Sequence, residues 1–197
     1  IRVDDNLGAT PKMSPEIYKA VIDEAHKKGL RVAVHLFYLA DAKAVLDAGA
    51  DFIAHSVRDV PVDDAFGAML KRRNVCYCPT LMREVSTFVY ESTPSWFTDP
   101  LFLKRADMAA VEALKQPARQ QAMANSKSAQ RYKAGLEVAN RNLKTLSDAG
   151  VRVAMGTDHG PRAGFQGSLG RRGADVTRKA GPAGGRRGGA EGAVRVV

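Results

Sequence analysis

The chain has 197 residues, 45% hydrophobic and 26% charged, with two cysteines and a formal net charge of +9. That is the make-up of one ordinary globular domain, with or without a tail; it excludes a disulfide framework, and no apolar run approaches the roughly 18 to 20 residues of a membrane helix. The basicity suggests nucleic acid only until it is located: residues 160–197 hold eight Lys/Arg against two acidic residues, so most of the excess sits in this last stretch.

Residues 1–3 read as a short apolar strand. Ser14-Pro15-Glu16 opens a helix, with Ser14 as N-cap, Pro15 at the first position and an acid in the first turn. Ile17, Ala20, Val21 and Ala25 follow at helical spacing, and Lys27-Lys28-Gly29 closes the helix with cations and a glycine cap. A strand over 31–36 follows, then a helix over 40–48 capped by Gly49. A strand over 51–56, a helix over 63–73 and a strand over 75–80 repeat the unit. Cys76 and Cys78 on the last of these read as reduced thiols on a buried strand, with no second Cys pair nearby for a metal clip.

Residues 82–135 break the rhythm as a helical insertion. It begins with a loop over 93–100 that carries the single tryptophan, Trp96, and continues as long helical stretches over 101–116 and 118–133. Insertions after a strand often cover an active site, so this one is either a lid or a plain pair of surface helices. A helix over 136–149, capped by Gly150, and a strand over 151–157 return to the pattern. Strands alternating with helices predict an α/β fold with parallel strands and right-handed crossovers, either a (β/α)8 barrel or an open doubly wound sheet. No G-x-G-x-x-G follows a strand and there is no Walker-type loop, which disfavours a nucleotide site.

The residues that end the strands carry the chemistry. Val32-Ala33-Val34 runs into His35, Phe52-Ile53-Ala54 into His55, Tyr77-Cys78-Pro79 into Thr80, and Met155-Gly156-Thr157 into Asp158. In parallel α/β folds the carboxyl ends of the strands face the binding site. Two imidazoles and a carboxylate there are suitable ligands for zinc or another divalent metal, although a single His after an apolar strand is commonly a satisfied core residue. His26 belongs to a helix surface, and His159 falls at a break in composition. Arg58, just past His55, and Thr80 are candidate substrate contacts; Arg58 with Asp59 also reads as a solvated loop pair, and Thr80 as a partner of local backbone.

The run Val32-Ala33-Val34-His35, then Ala48-Gly49-Ala50-Asp51-Phe52-Ile53-Ala54-His55, then Gly156-Thr157-Asp158 resembles the amidohydrolase superfamily, and most of all its imidazolonepropionase-like and prolidase-like branch. The resemblance covers residues 1–158 and implies a partial TIM-like (β/α)8 barrel, about strands four to eight. It implies that His35 and His55 are metal ligands, that Asp158 is a ligand and the general base, and that zinc or another divalent metal is the cofactor. It implies hydrolysis of a small-molecule amide, cyclic amide or dipeptide by metal-activated water. The family's His-x-His pair is absent, and its carboxylated Lys has no counterpart beside Arg2. The chain is therefore expected to be an incomplete barrel, weakly active or inactive alone, whose open strand edges favour pairing with another chain. No signal peptide is visible, which favours the cytoplasm.

Residues 160–197 contain 11 Gly and 7 Arg with few large apolar residues, and read as a tail unable to bury a core. Its composition is what GC-rich codons yield in a wrong frame, so a frame-shifted end is expected. The alternative reading is a non-catalytic α/β protein whose Arg/Gly tail binds nucleic acid; it is disfavoured because Phe165 is the tail's one aromatic.

Overall fold

The computed structural model describes residues 1–4, 11–156 and 158. The expected irregular tail over 160–197 and the end of the last strand at Thr157 lie outside the described residues. Four strands form one parallel sheet in the order β1 (Arg2–Asp4), β2 (Ala33–Leu36), β3 (Phe52–Ala54), β4 (Cys76–Cys78). The helices α1 (Pro15–Lys27), α2 (Leu39–Asp47) and α3 (Asp64–Arg72) connect them in turn. The expected α/β alternation is thus present. The expected fifth strand is reduced to a single bridge, Tyr77 to Val153, also parallel. Two backbone bonds hold it, Tyr77 N–H to Arg152 C=O at 3.0 Å and Ala154 N–H to Tyr77 C=O at 2.9 Å.

The register is in step across the centre of the sheet. Ala33, Val34 and His35 pair with Phe52, Ile53 and Ala54, which pair with Cys76, Tyr77 and Cys78. β2, β3 and β4 are short and largely apolar, as strands of a parallel sheet covered on both faces are, whereas β1 is Arg2-Val3-Asp4. Val34, Leu36, Ile53 and Tyr77 are fully buried and join Ile22, Val45, Leu46, Phe66, Leu70 and Leu146 in the main core.

Local signals explain most helix ends. Asp63 caps α3, its Oδ1 accepting the Phe66 N–H at 2.9 Å. Gly29, Gly49 and Gly150 all adopt positive φ just past helices, as read from the sequence. Ser14 stands at the N-cap of α1 but makes no side-chain cap bond. The apolar face of α1 also differs from the expected stripe: Tyr18 and Ile22 are buried, while Ile17 and Val21 are exposed. Of the two apolar rows on this helix, the one with Tyr18 and Ile22 joins the main core.

The chain divides into two compact units among the described residues. The first holds residues 1–81 and 135–156, with the sheet. The second holds 82–134 and Asp158. Its helices are α4 (Leu81–Ser86), α5 (Pro100–Leu103), α6 (Met108–Leu114), α7 (Pro117–Ala124) and the first part of α8 (Lys127–Asp148). Its own core is Tyr90, Phe97, Phe102, Val111 and Leu114. The helical stretch expected over 101–116 is broken because Asp107 starts a new helix, accepting the Ala109 and Ala110 N–H groups. The helices expected over 118–133 and 136–149 do not meet at a break, because α8 runs through Gly135. A Cβ there would lie 3.4 Å from the Arg58 carbonyl oxygen, so this glycine permits close packing and does not end the helix. No described helix is long and apolar enough to cross a membrane.

Candidate metal centre

His35 is the last residue of β2 to pair with β3, and His55 directly follows β3. The in-step register of these neighbouring strands brings the two imidazoles together. Nδ1 of His35 lies 2.8 Å from Nε2 of His55, and the rings meet edge to face with centroids 4.7 Å apart. The second nitrogen of His55, Nδ1, lies 2.6 Å from the Thr80 hydroxyl, just past β4. The strand-end residues read from the sequence therefore form a chain, His35 to His55 to Thr80, across three strands. His55 and Thr80 are buried and His35 is half-buried.

The backbone is strained where this chain forms. His55 has φ +72° and Thr80 φ +44°, both left-handed. A β-branched residue there is a genuine outlier, and such strain collects at functional sites when the surrounding structure holds it in place. Asp158 is left-handed as well, at φ +52°.

Arg58 is where the sequence reading needs correction. It was expected in a solvated loop pair, yet it is 1% exposed. Its Nη1 donates to the carbonyls of Leu36 and Ser56, and its guanidinium lies over the Phe37 ring. The guanidinium is thus taken up by carbonyls and an aromatic face. Asp59 caps instead, with its Oδ1 accepting the Leu39 N–H at 2.9 Å at the start of α2.

Asp158 belongs to the second unit. There its Oδ2 faces Arg83 Nε at 3.7 Å, and Arg83 also lies over the Tyr132 ring and beside the buried Glu84. Arg83 went unnoticed in the sequence; its position three residues past the strand-end Thr80 was the available signal. Among the described residues, no three His, Cys, Asp or Glu side chains gather as a metal-binding group.

The His35–His55 pair fits a divalent metal as two of its ligands. Neutral imidazole nitrogens are good donors for zinc, with ligand distances near 2.0–2.1 Å. Two such nitrogens on a tetrahedral ion stand about 3.3 Å apart, so the observed 2.8 Å needs only a small opening. The hydroxyl beside the other nitrogen of His55 is the kind of outer partner that ligating histidines use.

Comparison with known proteins bears on the fold. No family model matches the chain, and no curated protein matches it. Solved structures do. A protein described as a prolidase from Bifidobacterium longum aligns with TM-score 0.56 and 20% identity, over 91% of this chain and 39% of that one. The chain shares part of the fold of these prolidase- and amidohydrolase-type structures. A Xaa-Pro dipeptidase with bound methionine in its active site aligns over 90% of this chain and 36% of that one, with TM-score 0.52 and 19% identity. An ochratoxinase of A. niger aligns over 79% and 27%, with TM-score 0.52 and 17% identity. The chain thus spans about a quarter to two fifths of the amidohydrolase-type structures it matches. At these identities the likeness is one of fold. No family model or curated relative matches.

Proposed function

We propose that the chain comes from a metal-dependent hydrolase of C–N bonds, whether amide, cyclic amide or peptide. In this reading His35 and His55 are metal ligands, and Asp158 is a third ligand and the general base. The observation that carries it is the 2.8 Å approach of His35 Nδ1 to His55 Nε2 at the ends of adjacent parallel strands. The shared part of the amidohydrolase-type fold supports it, since the alignments include a dipeptidase and a prolidase.

A bound zinc or other divalent cation would supply an activated water, with its pKa brought near 7, and would polarise the scissile carbonyl. The chain's own residues do the rest. Asp158 receives the proton of the attacking water on its carboxylate and returns it to the leaving nitrogen. Thr80 bonds His55, and Arg58 bonds the carbonyls of Leu36 and Ser56. Substrates of this class are small molecules.

The test is a titration of the full chain with Co2+, followed through its visible absorption bands. Saturable binding is expected, weakened in Asp158→Asn and lost in His35→Ala and His55→Ala. Binding that survives both histidine substitutions would overturn the reading. Turnover of an Xaa-Pro dipeptide by the zinc-loaded chain is expected to be weak.

A further inference from the structure

We infer that Thr80 is a positioning residue for His55: its hydroxyl accepts the Nδ1–H of the imidazole and keeps the Nε2 lone pair aimed at His35. Thr80 Oγ1 lies 2.6 Å from His55 Nδ1, and His55 Nε2 lies 2.8 Å from His35 Nδ1. Two proton arrangements satisfy this chain. In one, His55 carries its proton on Nδ1 and donates to Thr80, while Nε2 accepts from His35. In the other, Thr80 donates to Nδ1 and His55 donates from Nε2. Only the first leaves His55 Nε2 unprotonated, as a ligating nitrogen must be, with the bond at the other nitrogen fixing the tautomer; a metal would take the place of the His35 Nδ1 proton, which passes to His35 Nε2 or to solvent.

Three features hold Thr80 in this role. Its backbone is left-handed at φ +44°, a conformation its branched side chain disfavours, so the surrounding packing must impose it. It is only 6% exposed, so bulk water does not compete for the hydroxyl. Its methyl is backed by Gly156, where a Cβ would stand 3.3 Å from Thr80 Cγ2 and 2.5 Å from Cys78 Sγ. The glycine lets the last segment of the first unit lie against the methyl, which leaves the hydroxyl turned to His55.

The inference rests on the metal reading for its affinity measurement only; the tautomer can be read without metal. The full chain, Thr80→Val, Thr80→Ala and Thr80→Ser are labelled with 15N, and the His55 ring nitrogens are observed by long-range 1H–15N correlation at a pH where the imidazoles are neutral. Wild type and Thr80→Ser are expected to show the Nδ1–H tautomer, and the two variants without a hydroxyl a shift toward Nε2–H. Co2+ affinity, measured by competition with a chromogenic chelator, should fall by about tenfold to a hundredfold in Thr80→Val and Thr80→Ala. It should stay near the wild-type value in Thr80→Ser. An unchanged tautomer in whichever hydroxyl-free variant folds would overturn the inference. A shifted tautomer with no histidine-dependent metal binding would uphold it and remove the metal reading instead.

Discussion

The guanidinium carbon of Arg58 lies 4.4 Å from the centre of the Phe37 ring, in the interior of the protein. The same side chain donates to the carbonyls at the ends of two neighbouring strand segments, Leu36 and Ser56. It thereby ties the end of β2, which carries His35, to the segment after β3, which carries His55.

Arg58 should therefore act on stability first. A lysine keeps the charge but loses the flat face against Phe37 and the planar fork of donors. Arg58→Lys is expected to cost about 2 kcal/mol, read as a lowered urea midpoint. If Arg58 served only to hold substrate, the midpoint would not move.

Asn142 on α8 makes a second tie within the first unit. Its Nδ2 donates to the carbonyls of Val57 and Val60, each at 2.9 Å, and its Oδ1 accepts the Val62 N–H at 2.9 Å. The residue is 1% exposed. Asn142→Asp removes both donations and sets a carboxylate against two carbonyls, so a loss of roughly 3 kcal/mol is expected. Asn142→Ala should lose somewhat less, and a denaturant series on both variants checks the order.

Metal should stabilise the fold through the histidine pair. At a free zinc concentration a hundred times the dissociation constant, the gain is about 2.7 kcal/mol. For a chain of this size that corresponds to a rise in Tm of roughly 5–10 °C. The rise should reverse with a chelator and be absent in His35→Ala and His55→Ala. Equal rises in all three proteins would place the metal elsewhere.

Acid should loosen the second unit. The bond from Lys133, and after it the bond from Gln130, hold the Glu91 carboxyl below its ordinary value of 4.5. A carboxyl with a depressed folded value stabilises the fold above the unfolded value, and that contribution fades as pH falls through the folded one. The wild-type urea midpoint should therefore drop between pH 6 and pH 3 by more than that of Lys133→Met. Identical drops would show that this pair carries none of the acid sensitivity.

Much of the helix–strand order could be read before any tertiary contact was known. The signals are local: Pro15 at the start of α1, the Asp63 cap, and the glycines at 29, 49 and 150 whose positive φ ends three helices. Signals that act through packing were misread. Gly135 lies between two helices expected as separate, and serves as a close contact with Arg58. Ile17 and Val21 read as part of the apolar stripe of α1, but Tyr18 and Ile22 hold the core positions.

By itself the sequence determined the alternation of short apolar strands with helices and the presence of His35, His55, Thr80 and Asp158 after them. Period, capping and strand-end position are properties of neighbouring residues, so they need no fold to be seen. Only the tertiary structure decided that His35 and His55 touch, that Thr80 closes the chain behind them, that Arg58 is buried and that Asp158 faces Arg83. Those facts depend on strand register and on which groups lose water, and both are set by contacts between residues far apart in the chain.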